Sequence, residues 1–105
     1  MTNFQKLMQM GQQLQTRMAE LQENLAKQTV TASAGGGMVE VTADGKGEVR
    51  SVRIDPACVD ARDVEMLEDL VLAAVNQAQT KAREVHEAEM KKAAGGLPIN
   101  LPGLF

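Results

Sequence analysis

Met38-Val39-Glu40-Val41-Thr42-Ala43-Asp44-Gly45-Lys46-Gly47-Glu48-Val49-Arg50-Ser51-Val52-Arg53-Ile54 is the stretch that decides the fold of this 105-residue chain. Two runs in it, 38–42 and 49–54, alternate apolar and polar residues, the period of a strand with one face buried. Val39 and Val41 share one face of the first run, and Val52 and Ile54 share one face of the second. Asp44-Gly45-Lys46-Gly47 stands between them, and Asp-Gly is a strong tight-turn pair. Upstream, Val30-Thr31-Ala32-Ser33 alternates in the same way and is separated from Met38 by Gly35-Gly36-Gly37. Residues 29–54 therefore read as three short strands in an antiparallel meander. Asp55-Pro56 stops the sheet, because proline cannot donate to a ladder.

Both flanks of the meander read as long helices. Over residues 3–28, Phe4, Leu7, Gly11, Leu14, Met18, Leu21 and Leu25 recur at alternating spacings of three and four. That is a heptad seam, and glutamines fill the positions between. Downstream, Asp60 is the expected N-cap of a helix over about 62–94, with Asp63 three residues later. Val64, Leu67, Leu70, Val71, Ala74, Val75, Ala78, Ala82 and Val85 form its apolar stripe. Such a helix is roughly 50 Å long, while a compact chain of this size has a radius of gyration near ~13 Å. The helices must therefore project, and their apolar stripes need partners. This predicts an α+β homodimer with one domain over 1–94 and a flexible Gly/Pro tail over 95–105. Leu7, Leu14, Leu21, Val39, Val41, Val52 and Ile54 are the residues expected to pack the core and the dimer.

Composition supports a folded, non-membrane chain: 44% hydrophobic, 24% charged, with Phe4 and Phe105 as the only aromatics. A core without aromatics is thin in a monomer, which again favours burial between subunits. No run approaches the ~20 apolar residues of a membrane span, residues 1–28 do not read as a signal peptide, and the single Cys58 has no internal disulfide partner. A reducing, cytoplasmic setting is expected.

The chemistry-bearing residues form no catalytic pattern. Gly35-Gly36-Gly37 lacks the Lys-Ser/Thr end of a phosphate loop and precedes no helix. Cys58 has no Cys or His at metal spacing, and His86 is a lone histidine in a charged stretch. The carboxylates at 60–69 match no calcium loop and suit a helix N-terminus. No catalytic residue, metal or cofactor is expected. The net charge of −3 is unevenly spread: Asp55, Asp60, Asp63, Glu65, Glu68 and Asp69 face a single Arg62 across residues 55–69, so the rest of the chain is net positive. Lys6 and Arg17 lie on the first helix; Lys81, Arg83, Lys91 and Lys92 lie on the distal half of the second. If the helices run antiparallel, Lys6 is expected beside Lys91 and Lys92, making basic tips far from the sheet.

The order of features resembles the YbaB/EbfC family of bacterial nucleoid-associated proteins. The match runs through the Met/Gln-rich opening helix, Ala34-Gly35-Gly36-Gly37-Met38-Val39, and the turn segment from Val41 to Val49. It continues through Ser51-Val52-Arg53-Ile54-Asp55-Pro56, the run from Met66 to Asn76, and a Gly-Leu-Pro-Gly-type tail. The resemblance covers essentially the whole chain. It implies an α-β-β-β-α protomer, a tweezer-shaped homodimer joined through the sheet region, and binding to double-stranded DNA that alters DNA conformation with little sequence preference. It also implies a place in the bacterial nucleoid and cytoplasm, and offers no catalytic residue to carry over. Its DNA contacts, placed on the helices, map here onto Lys6, Arg17, Lys81, Arg83, Lys91 and Lys92. The grip would be electrostatic and salt-sensitive. The rival reading is a dimeric adaptor whose apolar stripes and tail bind a protein partner in recombination or replication.

Overall fold

The computed structural model describes residues 2–95. Helix α1 spans Thr2–Lys27, strands β1, β2 and β3 span Thr29–Ala34, Val39–Asp44 and Val49–Ile54, a short 3-10 turn covers Pro56–Cys58, and helix α2 spans Val64–Gly95. The order is α-β-β-β-α, and the strands form an antiparallel sheet in the order β1-β2-β3. The expected α+β meander between two long helices is the observed architecture. The expectation of a flexible tail falls outside the described residues.

Each turn has a local cause. Gly35, Gly36 and Gly37 all take left-handed φ values, +64°, +68° and +93°, so the β1–β2 connection requires a conformation that L side chains rarely adopt. The β2–β3 connection is organised by Asp44. Its Oδ1 accepts from the backbone N–H groups of Lys46 (2.9 Å) and Glu48 (3.0 Å), and its Oδ2 from Arg50 Nε (3.0 Å) and Nη2 (2.7 Å). This is a side chain closing its own turn. The register slips by one residue between Thr42 and Ala43, so Ala43 pairs with Val49 and Arg50 is free to reach back to Asp44.

Gly45 then ties the turn to α1. Its N–H donates to the carbonyl oxygens of Leu25 (2.8 Å) and Gln28 (3.0 Å). The Leu25 carbonyl is one of those that a helix C-terminus leaves without an intrahelical donor. A Cβ at Gly45 would stand 2.8 Å from the Leu25 carbonyl oxygen, so only glycine allows this approach without a shift of backbone.

The core lies between one face of the sheet and α2. Ala32, Val39, Val41 and Ala43 from the sheet meet Ala74 and Ala78 from α2, with Cys58 closing one end. Ala74, Ala78 and Ala82 recur every fourth residue and are fully buried, a line of small side chains that lets the helix lie close on β1 and β2. Cys58 is thus a small apolar filler. α2 leans over β1 and β2 and barely reaches β3. Val52 and Ile54 pair with Val41 and Val39 and so share their face, yet remain 46% and 38% exposed. The α2 N-terminus lies two residues later than expected, and Asp63 rather than Asp60 caps it. The Asp63 carboxylate accepts from Met66 N–H at 3.2 Å, whereas Asp60 folds onto Arg62. The reason is that Asp60 is already committed to a turn, accepting Asp63 N–H through its own carbonyl at 2.9 Å.

The result is elongated, with extents of 73 × 24 × 16 Å and a radius of gyration of 19.9 Å, well above the ~13 Å of a compact chain this long.

Two substitutions test the corner. Gly45→Ala should destabilise the fold by about 1–3 kcal/mol through forced backbone displacement, read by urea denaturation. Asp44→Asn should cost about 2–4 kcal/mol at neutral pH, because charge-assisted hydrogen bonds are lost from a buried group. Burial pushes the Asp44 carboxyl up, but the hydrogen bonds from Glu48, Arg50 and Lys46 and the Arg50 charge outweigh it and hold it below its ordinary 3.8. A depressed folded-state value gives stability that is present above the ordinary value and lost as pH falls through the folded one. Stability of the parent should therefore fall more steeply below pH about 4 than that of Asp44→Asn; parallel acid-denaturation curves would contradict this account.

Candidate nucleic-acid interface

Antiparallel packing of α1 and α2 sets where each basic side chain stands. The end of α1 is fixed at the β2–β3 turn by Gly45, and α2 leaves the sheet past the same turn. Lys46 of the turn and Arg83 of α2 line one open hollow of about 430 Å³, together with Gln79, His86, Gly45 and Gly47. Further along the arm, Arg17 of α1 and Lys92 of α2 line a second, of about 370 Å³, with Glu20, Asn24 and Glu89. Lys92 Nζ lies 3.5 Å from Glu89 Oε1, an exposed pair that contributes little to stability. Arg17 also borders a polar hollow with Gln9, Gln12, Gln13 and Thr16.

This geometry revises the expected basic tip. Arg17, not Lys6, is the α1 residue beside Lys92. Lys6 stands three turns further out, about 16 Å along the axis. The reason is an offset in the packing: α2 meets the sheet through Ala74–Ala82, so its distal part is too short to reach the start of α1. Lys81 is also not at a tip. Its Nζ donates to the Thr31 carbonyl oxygen on the β1 edge at 2.8 Å, which places it against the sheet. Lys91 is exposed on the outer part of α2.

The six basic residues singled out in the sequence therefore fall into separate places. Arg17 and Lys92 come together, Arg83 joins Lys46 and His86, Lys81 lies on the sheet edge, Lys91 is exposed on the outer part of α2, and Lys6 is exposed near the far end of α1. Lys46 and His86 were not legible as a pair with Arg83. Lys46 reads as a turn residue and His86 as a solvated one, and nothing local signals that the turn and the helix meet. Along α1 and α2 the result is three basic stations: the corner, the Arg17–Lys92 level about 14 Å beyond Arg83, and Lys6 about 16 Å beyond that.

The acidic segment lies elsewhere. Asp55 precedes the 3-10 turn, Asp60 and Asp63 lie between it and α2, and Glu65, Glu68 and Asp69 lie in the first turns of α2, near the Gly35 loop, where a Cβ on Gly35 would meet the Leu70 side chain at 2.9 Å. Arg62 donates to Asp60 from its backbone and its guanidinium, holding that carboxyl below its ordinary range. Among the described residues, no group of three or more His, Cys, Asp or Glu side chains stands close enough to hold a metal ion. No described helix is long and apolar enough to cross a membrane.

The packing residues divide in the same plain way. Leu21, Val39 and Val41 are buried within the protomer, whereas Leu7, Leu14, Val52 and Ile54 are exposed.

Comparison with known proteins gives a consistent result. Residues 1–97 match the sequence profile of the YbaB/EbfC DNA-binding family. A nucleoid-associated protein of Thermoanaerobacter sp. strain X514 is 50% identical over 103 residues, covering 98% of this chain and 91% of the relative. One from Moorella thermoacetica is 52% identical over 103 residues, covering 98% and 97%. Among solved structures, an uncharacterized protein of Helicobacter pylori superposes with a TM-score of 0.72 over 90% of this chain and 95% of that one, at 24% identity, a likeness of fold.

Proposed function

The chain belongs to the YbaB/EbfC DNA-binding family, and from that premise we propose that it is a non-enzymatic nucleoid protein that binds double-stranded DNA as a homodimer. The observation that carries this reading is the line of basic stations along one elongated arm: Lys46 and Arg83, then Arg17 and Lys92. These side chains neutralise phosphates without reading bases. Lys and Arg on separate elements give point charges spaced along a duplex, and neither helix carries an Asn/Arg-rich recognition face. Sequence preference is accordingly weak, and affinity comes from counterion release. Lys6, Lys81 and Lys91 extend the contact.

The dimer supplies the second arm. Val52 and Ile54 continue the core face past the edge of α2, and Val59, Val64 and Met66, which follow β3 in the chain, are also exposed, between 41% and 56%. A second copy laid on this strip by two-fold symmetry covers the same residues on both subunits. Two arms then hold one duplex, and holding it against rigid arms changes its path at an elastic cost of a few kcal/mol (about 1–6). The setting is the nucleoid, in the cytoplasm.

A specific observation keeps the adaptor reading in view: Phe4, Leu7, Met8 and Met10 are all more than half exposed on α1, as a helix-in-groove ligand would be. Salt separates the two readings, since apolar docking persists where phosphate contacts fail.

Titration of unrelated labelled duplexes at several salt concentrations should give similar affinities that fall steeply with salt. Replacing Arg17, Lys46, Arg83 and Lys92 together by Ala should lower the log–log salt slope by roughly 3–4 per protomer and weaken binding to every duplex alike. An unchanged slope would place the contacts elsewhere, and no binding at low salt would remove the DNA reading. Val52→Asp with Ile54→Asp should convert the dimer to monomer in sedimentation equilibrium and weaken DNA binding by loss of the second arm. A dimer that survives this pair of changes would move the interface off β3.

A further inference from the structure

The two ends of the protomer carry opposite charge and share an apolar character. Among the described residues, the exposed large apolar side chains fall in two stretches only, residues 4–18 of α1 and residues 52–72. Residues 1–19 hold no carboxylate. Leu7, Met10 and Leu14 lie along one face of this outer part of α1, and Lys6 and Arg17, about three turns apart, border the same edge of that face. Leu7 is 65% exposed and Met10 55%, and neither contributes to holding a phosphate. The other end is acidic. Of its six carboxylates, Asp55, Asp60 and Asp63 are engaged by their own turns, whereas no described cation pairs with Glu65, Glu68 or Asp69. These three are exposed. With Leu72, which is 59% exposed, they follow the i, i+3, i+4, i+7 spacing of one helix face. That face is turned away from Val71, Ala74 and Ala78, which pack on the sheet.

We propose that the outer part of α1 docks on this face of α2 in another copy of the chain. Leu7, Met10 and Leu14 meet Leu72, and Lys6 and Arg17 meet the carboxylates around it. Charge complementarity selects this occupant. A second α1 would bring cations towards cations, whereas the acidic face offers Glu65, Glu68 and Asp69 beside an apolar side chain. Exposed ion pairs contribute little by themselves, so they set the register while the apolar contact supplies the affinity. Lys6 is open to either anion, a phosphate or a carboxylate. No chain can make this contact with itself. Leu72 lies about 30 Å from Lys92 along α2. Leu7 lies about 15 Å beyond Arg17, which stands beside Lys92. The contact therefore joins unlike surfaces of two copies, and such contacts run on into open chains unless the rotation closes them. It is separate from the two-fold strip on β3, and the two together link dimers into an array.

The contact needs no DNA, and neither does its test. Sedimentation equilibrium of the whole chain at low salt should show a weight-average mass that rises with concentration beyond that of two chains. Lys6→Glu with Arg17→Glu, or Glu68→Lys with Asp69→Lys, should each raise the concentration needed for this by at least about tenfold. All four changes in one chain should restore assembly, because opposite charges face each other again. Leu72→Ser, a change at an exposed position, should weaken assembly by a similar factor and decides the matter where a charge variant fails to fold. A mass that stops at two chains overturns the proposal and leaves the β3 dimer standing. Assembly that survives either charge reversal, or that the combined chain does not restore, also overturns it.

Discussion

The buried carboxylate of Asp44 is the constraint on which the rest of this molecule depends. It has no exposed surface, and an ionised group in that position is tolerated only with its acceptor sites filled. Two backbone N–H groups and one guanidinium fill them. That demand fixes the β2–β3 turn, and the fixed turn presents the Gly45 N–H to the end of α1. The direction in which α1 leaves the sheet is thus set by a polar network rather than by a large apolar interface. α1 touches the body of the molecule mainly through Leu21, Leu25 and this hydrogen-bonded corner. A change at Asp44 or Gly45 accordingly acts on the arm as well as on the hairpin.

A second constraint is volume. The buried apolar side chains are mostly Ala and Val, with Leu21 and Leu25 the largest among them. Burial gains scale with area removed from water, about 25 cal/mol per Å², so a core of this composition stabilises a protomer only modestly. The same small residues let α2 approach the sheet closely, but only over two strands. β3 keeps Val52 and Ile54 in the open, and α1 keeps its outer seam. The uncovered faces and the thin core have one origin: a helix long enough to form an arm and narrow enough to cover only part of a three-stranded sheet.

This division also explains what the sequence discloses. The meander was legible because its turns are chemically explicit: Asp44-Gly45 and three glycines in a row leave few other conformations. The seam of α1 was legible as a periodicity, since spacing is local information. The offset between α1 and α2 was not. It depends on which turn of α2 meets the sheet, and that follows from Ala74, Ala78 and Ala82, which look no different from the other small residues of the stripe. Hence Lys6 was expected beside Lys91 and Lys92, and the structure places Arg17 there. The helix start was misread for a related reason. Asp60 and Asp63 are equivalent as N-cap residues by type, and only the turn between them decides that Asp63 takes the role. Lys46 and His86 escaped notice because their meeting with Arg83 is a tertiary fact.

The negative net charge is the one global number that argues against a polyanionic ligand, and distance answers it. Coulomb interactions in physiological salt decay over a Debye length of about 8 Å. The last carboxylate of the acidic segment, Asp69, lies fourteen residues from Arg83 on the same helix, or about 21 Å. That is more than two Debye lengths, so a phosphate at the corner or beyond it is largely screened from the acidic end. It meets instead the charges of the arm and corner, Lys6, Arg17, Lys27, Lys46, Arg50, Lys81, Arg83, Lys91 and Lys92 against Glu20, Glu23, Asp44, Glu48, Glu84, Glu87 and Glu89, a balance of +2. An elongated protein can therefore be acidic in total and attractive to DNA along one arm, with the acidic end limiting how far along the molecule a duplex can lie.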